Sequence, residues 1–149
     1  MDAPPFNPGY FDGPAHMFRL RVYFEDTDLS GVVYHANYLR YMERARSDML
    51  RLAAIDQRAA QAAGEGAWAV TDLAIRYRSP ARLDDELTVI SMVEAVRGAS
   101  VVIAQTIRRD ERILTEGRVT AAFVAPDGRP RRQPAGWSDR FRQIMNGVS

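Results

Sequence analysis

This 149-residue sequence has no cysteine and only two histidines. Disulfides, thiolate nucleophiles and cysteine-based metal sites are therefore excluded. Lysine is absent too, so all 20 basic residues are arginine. No physical requirement removes every lysine, and we read this as codon usage. Charge of one sign is not in excess: the net charge is +1, which implies no bulk attraction to nucleic acid or membrane. No apolar run approaches the ~20 residues of a membrane span. The amino-terminal stretch lacks the basic start and apolar centre of a secretory signal. The expectation is a cytoplasmic protein without stable membrane insertion.

What is present is ordinary globular material, 46% hydrophobic and 26% charged. The length suits one domain with a real core. Residues 1–17 carry Pro4, Pro5, Gly9, Gly13 and Pro14 and read as an irregular arm. From Phe18 to Glu25, Phe18, Leu20, Val22 and Phe24 alternate with Arg19, Arg21 and Tyr23, which predicts a half-buried strand. Residues 38–55 change period. Tyr38, Met42, Ala45, Met49 and Leu52 fall on one stripe, and Asp48 falls away from it. This predicts a long amphipathic helix with Asn37 as its N-cap. The following Ala-rich stretch ends or loosely extends that helix, with Gly64 and Gly66 stopping it.

The remainder alternates at period two. Strands are predicted over 68–79 with a bulge near Thr71, over 86–96, over 100–109 and over 113–125, and residues 137–145 suit a short terminal helix. Tight turns make consecutive strands antiparallel neighbours. The helix must bury its stripe on a sheet face. The expectation is an α+β domain over 18–135: a curved antiparallel sheet of about five strands around a long helix, then a tail over 136–149.

One stretch is chemically dense: EDTDLSGVVYHANYL, residues 25–39, at the strand-to-helix junction. Asp26 and Asp28 suit a turn, where a carboxylate accepts backbone N–H groups. Val32 and Val33 follow, and apolar neighbours would raise the basicity of Asp28. A helix start beside it offers free N–H groups for a developing negative charge. A carboxylate with such a helix start is the minimum equipment for attack on a carbonyl; of the two readings, spacing alone favours the turn, because aspartate is common near helix starts.

The segment VYFEDTDLSGVVYHANYLRYMERAR resembles the signature of Tol-Pal-associated acyl-CoA thioesterases, in the 4-hydroxybenzoyl-CoA thioesterase-like group of the hotdog superfamily. RYRSPARLDDELTV and RGAS are similar to later segments of that family, so the resemblance spans about residues 19–135. It implies a hotdog fold, protomers joined through their sheets as dimers or tetramers, and active sites at the interface. It implies hydrolysis of an acyl-CoA thioester to a free acid and CoA. Asp28 would be the nucleophile or general base, and His35 the motif histidine. Backbone N–H groups near His35 and Ala36 would be the oxyanion donors. No metal or other cofactor is implied. Asn37 belongs to the same helix start, and Tyr34 and Tyr38 line the acyl site or pack the helix. Arg76 and Arg82 are candidates for the CoA phosphates. Acyl carrier protein is a further candidate partner. The family often carries two tyrosines before the acid pair, whereas this chain has Tyr23-Phe24.

Glu43 reads as structural, paired with an arginine. His16 is the only other histidine and sits in the arm, so a histidine metal site is not expected. The rival reading is a hotdog protein that binds acyl-CoA or acyl carrier protein without cleaving it. A regulator with its own DNA-binding helices is excluded by lack of room.

Overall fold

The computed structural model describes residues 8–147. Strands β1 (Gly9–Asp12) and β2 (Ala15–Arg21) precede a 3-10 turn over Phe24–Asp26. Helix α1 (Asn37–Leu52) and the short α2 (Gln57–Ala62) follow. Strands β3 (Ala67–Tyr77), β4 (Glu86–Val96), β5 (Ser100–Arg109) and β6 (Arg112–Val124) lead to helix α3 (Trp137–Met145). The strands form one six-stranded sheet in the order β1-β2-β4-β5-β6-β3. Each pairing in it is antiparallel. The fold is the α+β hotdog arrangement.

The sheet has a sixth strand because the supposed arm is a hairpin over part of its length. Gly13 and Pro14 occupy its turn, so the residues that argued against a strand are those that connect two. Residues 1–7 of the expected arm lie outside the described residues. The strand expected over 18–25 runs instead from Ala15 to Arg21. Val22 is buried as its phase requires, but the 3-10 turn then breaks the alternation and Phe24 is 81% exposed.

Burial alternates as the sequence requires along β4 and β5. Leu87, Val89, Ser91 and Val93 face inward, as do Val101, Ile103, Gln105 and Ile107. The expected bulge near Thr71 is present, between Val70 and Asp72. Helix α1 lays Tyr38, Tyr41, Met42, Ala45, Met49 and Leu50 on this surface. One part of the core gathers its first turns with Phe18, Val22 and Leu114. The other gathers its last turns with Phe123 and with Trp137, Phe141 and Ile144 of α3.

Two expectations about α1 need correction. Asp48 is buried, because its carboxylate accepts a 2.7 Å hydrogen bond from His16 Nε2 and so has a partner away from water. Asn37 is the first helical residue, not the N-cap. The cap position belongs to Ala36, which supplies no side-chain bond. The Ala-rich stretch is a separate helix, α2, whose own N-cap Asp56 accepts from the Ala59 N–H at 2.9 Å. Among the described residues no helix is long and apolar enough to cross a membrane.

Candidate functional site

The junction between β2 and α1 is a small hairpin. Thr27 pairs with Val33, and the Asp28 N–H donates to Val32 O at 2.9 Å. The Gly31 N–H closes the loop onto Asp28 O at 3.0 Å, with φ +83° at Gly31, a value that favours glycine. The hairpin docks on the segment before β4. The Val33 N–H donates to Ala81 O at 2.8 Å, and Val32 bridges Arg82. The chain thus returns at once from Asp28 to the start of α1.

Asp28 is exposed in the protomer. Its Oδ1 accepts two bonds from Ser30, from the backbone N–H at 2.8 Å and from the hydroxyl at 2.5 Å. The Ser30 hydroxyl, then the Ser30 backbone N–H, hold the carboxyl below its ordinary range. This reverses the expectation that Val32 and Val33 raise its basicity: Val33 is buried in the core, and donors rather than an apolar wall surround the carboxylate. Among the described residues no hydrogen bond engages Asp28 Oδ2. Asp26 serves the turn. Its carboxylate accepts from the Tyr23 N–H at 2.9 Å, and its carbonyl accepts from Tyr34 N–H and Asn37 Nδ2.

At the start of α1, His35 is exposed and its ring lies 4.4 Å from that of Tyr34. The Tyr77 hydroxyl donates to His35 O at 2.9 Å, which ties the junction to the end of β3. The Asn37 N–H is taken by Tyr34 O at 2.8 Å. Among the described residues the N–H groups of His35 and Ala36 have no such acceptor. Tyr34 is 48% exposed beside them.

Other expected site residues lie elsewhere. Tyr38 is 3% exposed, and its hydroxyl accepts from the Ala81 N–H at 2.9 Å. It packs the core and offers the protomer's surface no lining. Arg76 alternates with Tyr77 along β3, so its side chain leaves the opposite face of the sheet from the ring tied to His35. Arg82 is exposed and lies against the hairpin through its bridge to Val32. Glu43 accepts from the Ser47 hydroxyl at 3.0 Å instead of pairing with an arginine.

Two contributors escaped the sequence reading. Ser30 sits two residues after an aspartate, a spacing that by itself signals an Asx-type turn. Tyr77 reaches the junction only through the fold, from the far edge of the sheet. That edge is notable: β3 is 11 residues long, among the described residues has a neighbour only in β6, and exposes Val70, Leu73 and Tyr77. Phe24, Leu29 and Tyr34 are exposed at the junction. A long unpaired edge with apolar side chains marks a surface built to be covered.

Comparison with known proteins is consistent with this architecture. A family model described as the thioesterase superfamily matches residues 30–116. The chain is 40% identical over 126 residues to the acyl-CoA thioester hydrolase YbgC of Escherichia coli, covering 83% of this chain and 93% of that protein. It is 42% identical over 107 residues to the acyl-CoA thioesterase YbgC of Haemophilus influenzae, covering 72% and 79%. Among solved structures, a probable thioesterase from Bartonella henselae superposes with a TM-score of 0.76 at 36% identity, over 80% of this chain and 99% of that one.

Proposed function

This chain belongs to the thioesterase superfamily, and from that premise we propose that it hydrolyses acyl-CoA thioesters with Asp28 as the reacting carboxylate. The observation that carries the reading is one junction where an ionised carboxylate keeps one oxygen uncommitted, beside a helix start whose His35 and Ala36 N–H groups are also uncommitted. In the water route, Asp28 takes a proton from water and hydroxide adds to the thioester carbon. In the covalent route, Asp28 itself adds, and water then cleaves the mixed anhydride. In both, the carbonyl oxygen gains charge against the free N–H groups, the C–S bond breaks, and the sulfur leaves as CoA thiolate to be protonated. His35 orients this helix start, through its carbonyl bond to Tyr77 and its ring contact with Tyr34. Arg82, beside the hairpin, is a candidate for the CoA phosphates.

Asp28 is exposed in one protomer, so the site needs a second copy to exclude water. Antiparallel pairing of β3 with its copy about a two-fold sets the Tyr77 end of one strand beside the Ala67 end of the other. The junction of each protomer is thereby walled by its partner. The reading is thus a homodimer, or a tetramer of such pairs. The resemblance alone carries cytoplasmic location, Tol-Pal association and docking of acyl carrier protein.

Asp28→Asn is expected to keep the fold and the dimer and to lower kcat with acyl-CoA by about 100-fold or more, since general-base catalysis contributes at least that much. The check is release of free thiol from a panel of acyl-CoAs. Undiminished turnover in this variant would remove Asp28 from the mechanism.

A further inference from the structure

We propose that the cavity beside the middle of α1 takes an acyl group whose far end is a carboxylate, with Arg46 as its partner. The inference rests on the composite site above. Pairing through β3 sets the Trp68 and Val70 rim of this cavity beside the Tyr77 end of the other copy, where the reacting carboxylate lies.

The cavity measures about 140 Å³. A cavity of roughly 150 Å³ holds benzene, so this one suits about six non-hydrogen atoms. Its walls are largely apolar: Leu50, Trp68, Val70, Val101, Ile103 and Phe141. Arg46 breaks that character, together with Glu43, Ser47 and Gln57. Its Nη1 donates to Gln105 Oε1 at 2.9 Å, a neutral acceptor. Gln105 is itself fixed, because its Nε2 donates to Met42 O and to the Ser91 hydroxyl, both at 2.9 Å. The guanidinium is therefore anchored from behind. Among the described residues no carboxylate lies within ion-pair distance of it. Burial disfavours its charge, with the Glu43 carboxylate as the opposing influence.

A partly buried cation with one neutral partner lacks the anion that such groups normally have. A ligand carboxylate supplies it, and the planar guanidinium accepts that geometry on two parallel bonds. Glu43 lines the same cavity and opposes an incoming anion. Its carboxylate is drawn toward Ser47, whose hydroxyl it accepts. A three-methylene acyl chain ending in a carboxylate fits the volume and leaves the thioester at the rim.

The test compares three CoA thioesters with six non-hydrogen atoms beyond the carbonyl: glutaryl-CoA, 6-hydroxyhexanoyl-CoA and heptanoyl-CoA. The wild-type dimer is expected to favour glutaryl over heptanoyl in kcat/KM by about tenfold or more, the size of one charge-assisted hydrogen bond. The hydroxyl substrate should fall between them. Arg46→Met should lower that ratio by about tenfold, and Glu43→Gln, which removes the opposing charge, should raise it. Preference for heptanoyl-CoA in the wild type, or an unchanged ratio in both variants, overturns the carboxylate assignment while leaving thioester hydrolysis intact. Leading activity on the hydroxyl substrate overturns it in favour of a neutral acceptor. Failure to cleave any of the three, or any other acyl-CoA, brings down the underlying enzyme reading as well.

Discussion

Ser30 lowers the titration of Asp28. Its hydroxyl and N–H both bond Oδ1, and they are the leading causes of the lowered carboxyl titration. A lowered value keeps the carboxylate ionised into more acidic solution. Ser30→Ala removes the largest cause, so the carboxyl should titrate at higher pH. The acidic limb of the kcat/KM profile should move upward by the same amount. A limb that stays in place would mean another group governs it. Asp28 is exposed, so this effect belongs to the rate profile and not to stability. The same bonds explain why spacing alone favours the turn reading of Asp28. The residue is a turn former, and being one leaves Oδ2 uncommitted. Tyr38 was harder to place, because an aromatic residue one position into a helix follows the same period whether it lines a site or packs beneath one.

At the scale of elements, the β1–β2 hairpin is joined to α1 by the buried pair His16 and Asp48. Gly9 lies against both, and a Cβ there would collide with the Asp48 carboxylate and the His16 ring. Burial depresses the His16 imidazole below its ordinary value, against the Asp48 hydrogen bond and charge, which raise it. Among the described residues His16 Nδ1 has no partner. A base with a lowered titration in the fold contributes stability above its unfolded value of about 6.5. That stability is lost as pH falls, because the unfolded chain binds a proton that the folded one resists. The melting temperature should therefore drop between pH 7.5 and pH 5.5. In His16→Gln, which keeps a donor toward Asp48 but cannot titrate, the drop should be smaller. Equal drops in the two proteins would exonerate the imidazole. This hairpin was illegible from sequence because Pro and Gly density signals interruption without saying what is interrupted. Strands β4 to β6 were legible because alternation survives when one face is buried. Asp48 shows the limit of periodic reading: a charged residue enters the stripe when a partner 32 positions away neutralises the cost.

At the scale of the whole molecule, the sheet ends in two unequal edges. Strand β1 has four residues, whereas β3 has 11 and exposes Val70, Leu73 and Tyr77. A single chain's sequence shows that β3 is a strand but not that its far side is unpaired among the described residues, since that follows from strand order. The proposal of a composite site draws on the family resemblance as well as on this edge. Residues 30–116 match the superfamily, yet the residue that brings the β3 edge to the helix start, Tyr77, carried no signal of that contact. A two-fold through the middle of β3 sets Leu73 near its own copy. Leu73→Glu then places two like charges together in a surface being dried. Like-charge juxtaposition costs several kcal/mol, so self-association should weaken by roughly a hundredfold or more. Sedimentation velocity should show monomers at concentrations where the wild type is dimeric. Thioesterase activity should fall with the dimer population and return at high protein concentration, although Leu73 lies outside both the junction and the Arg46 cavity. A monomer of full activity would show that one chain completes the site unaided, and the exposed carboxylate of Asp28 would then work in open water.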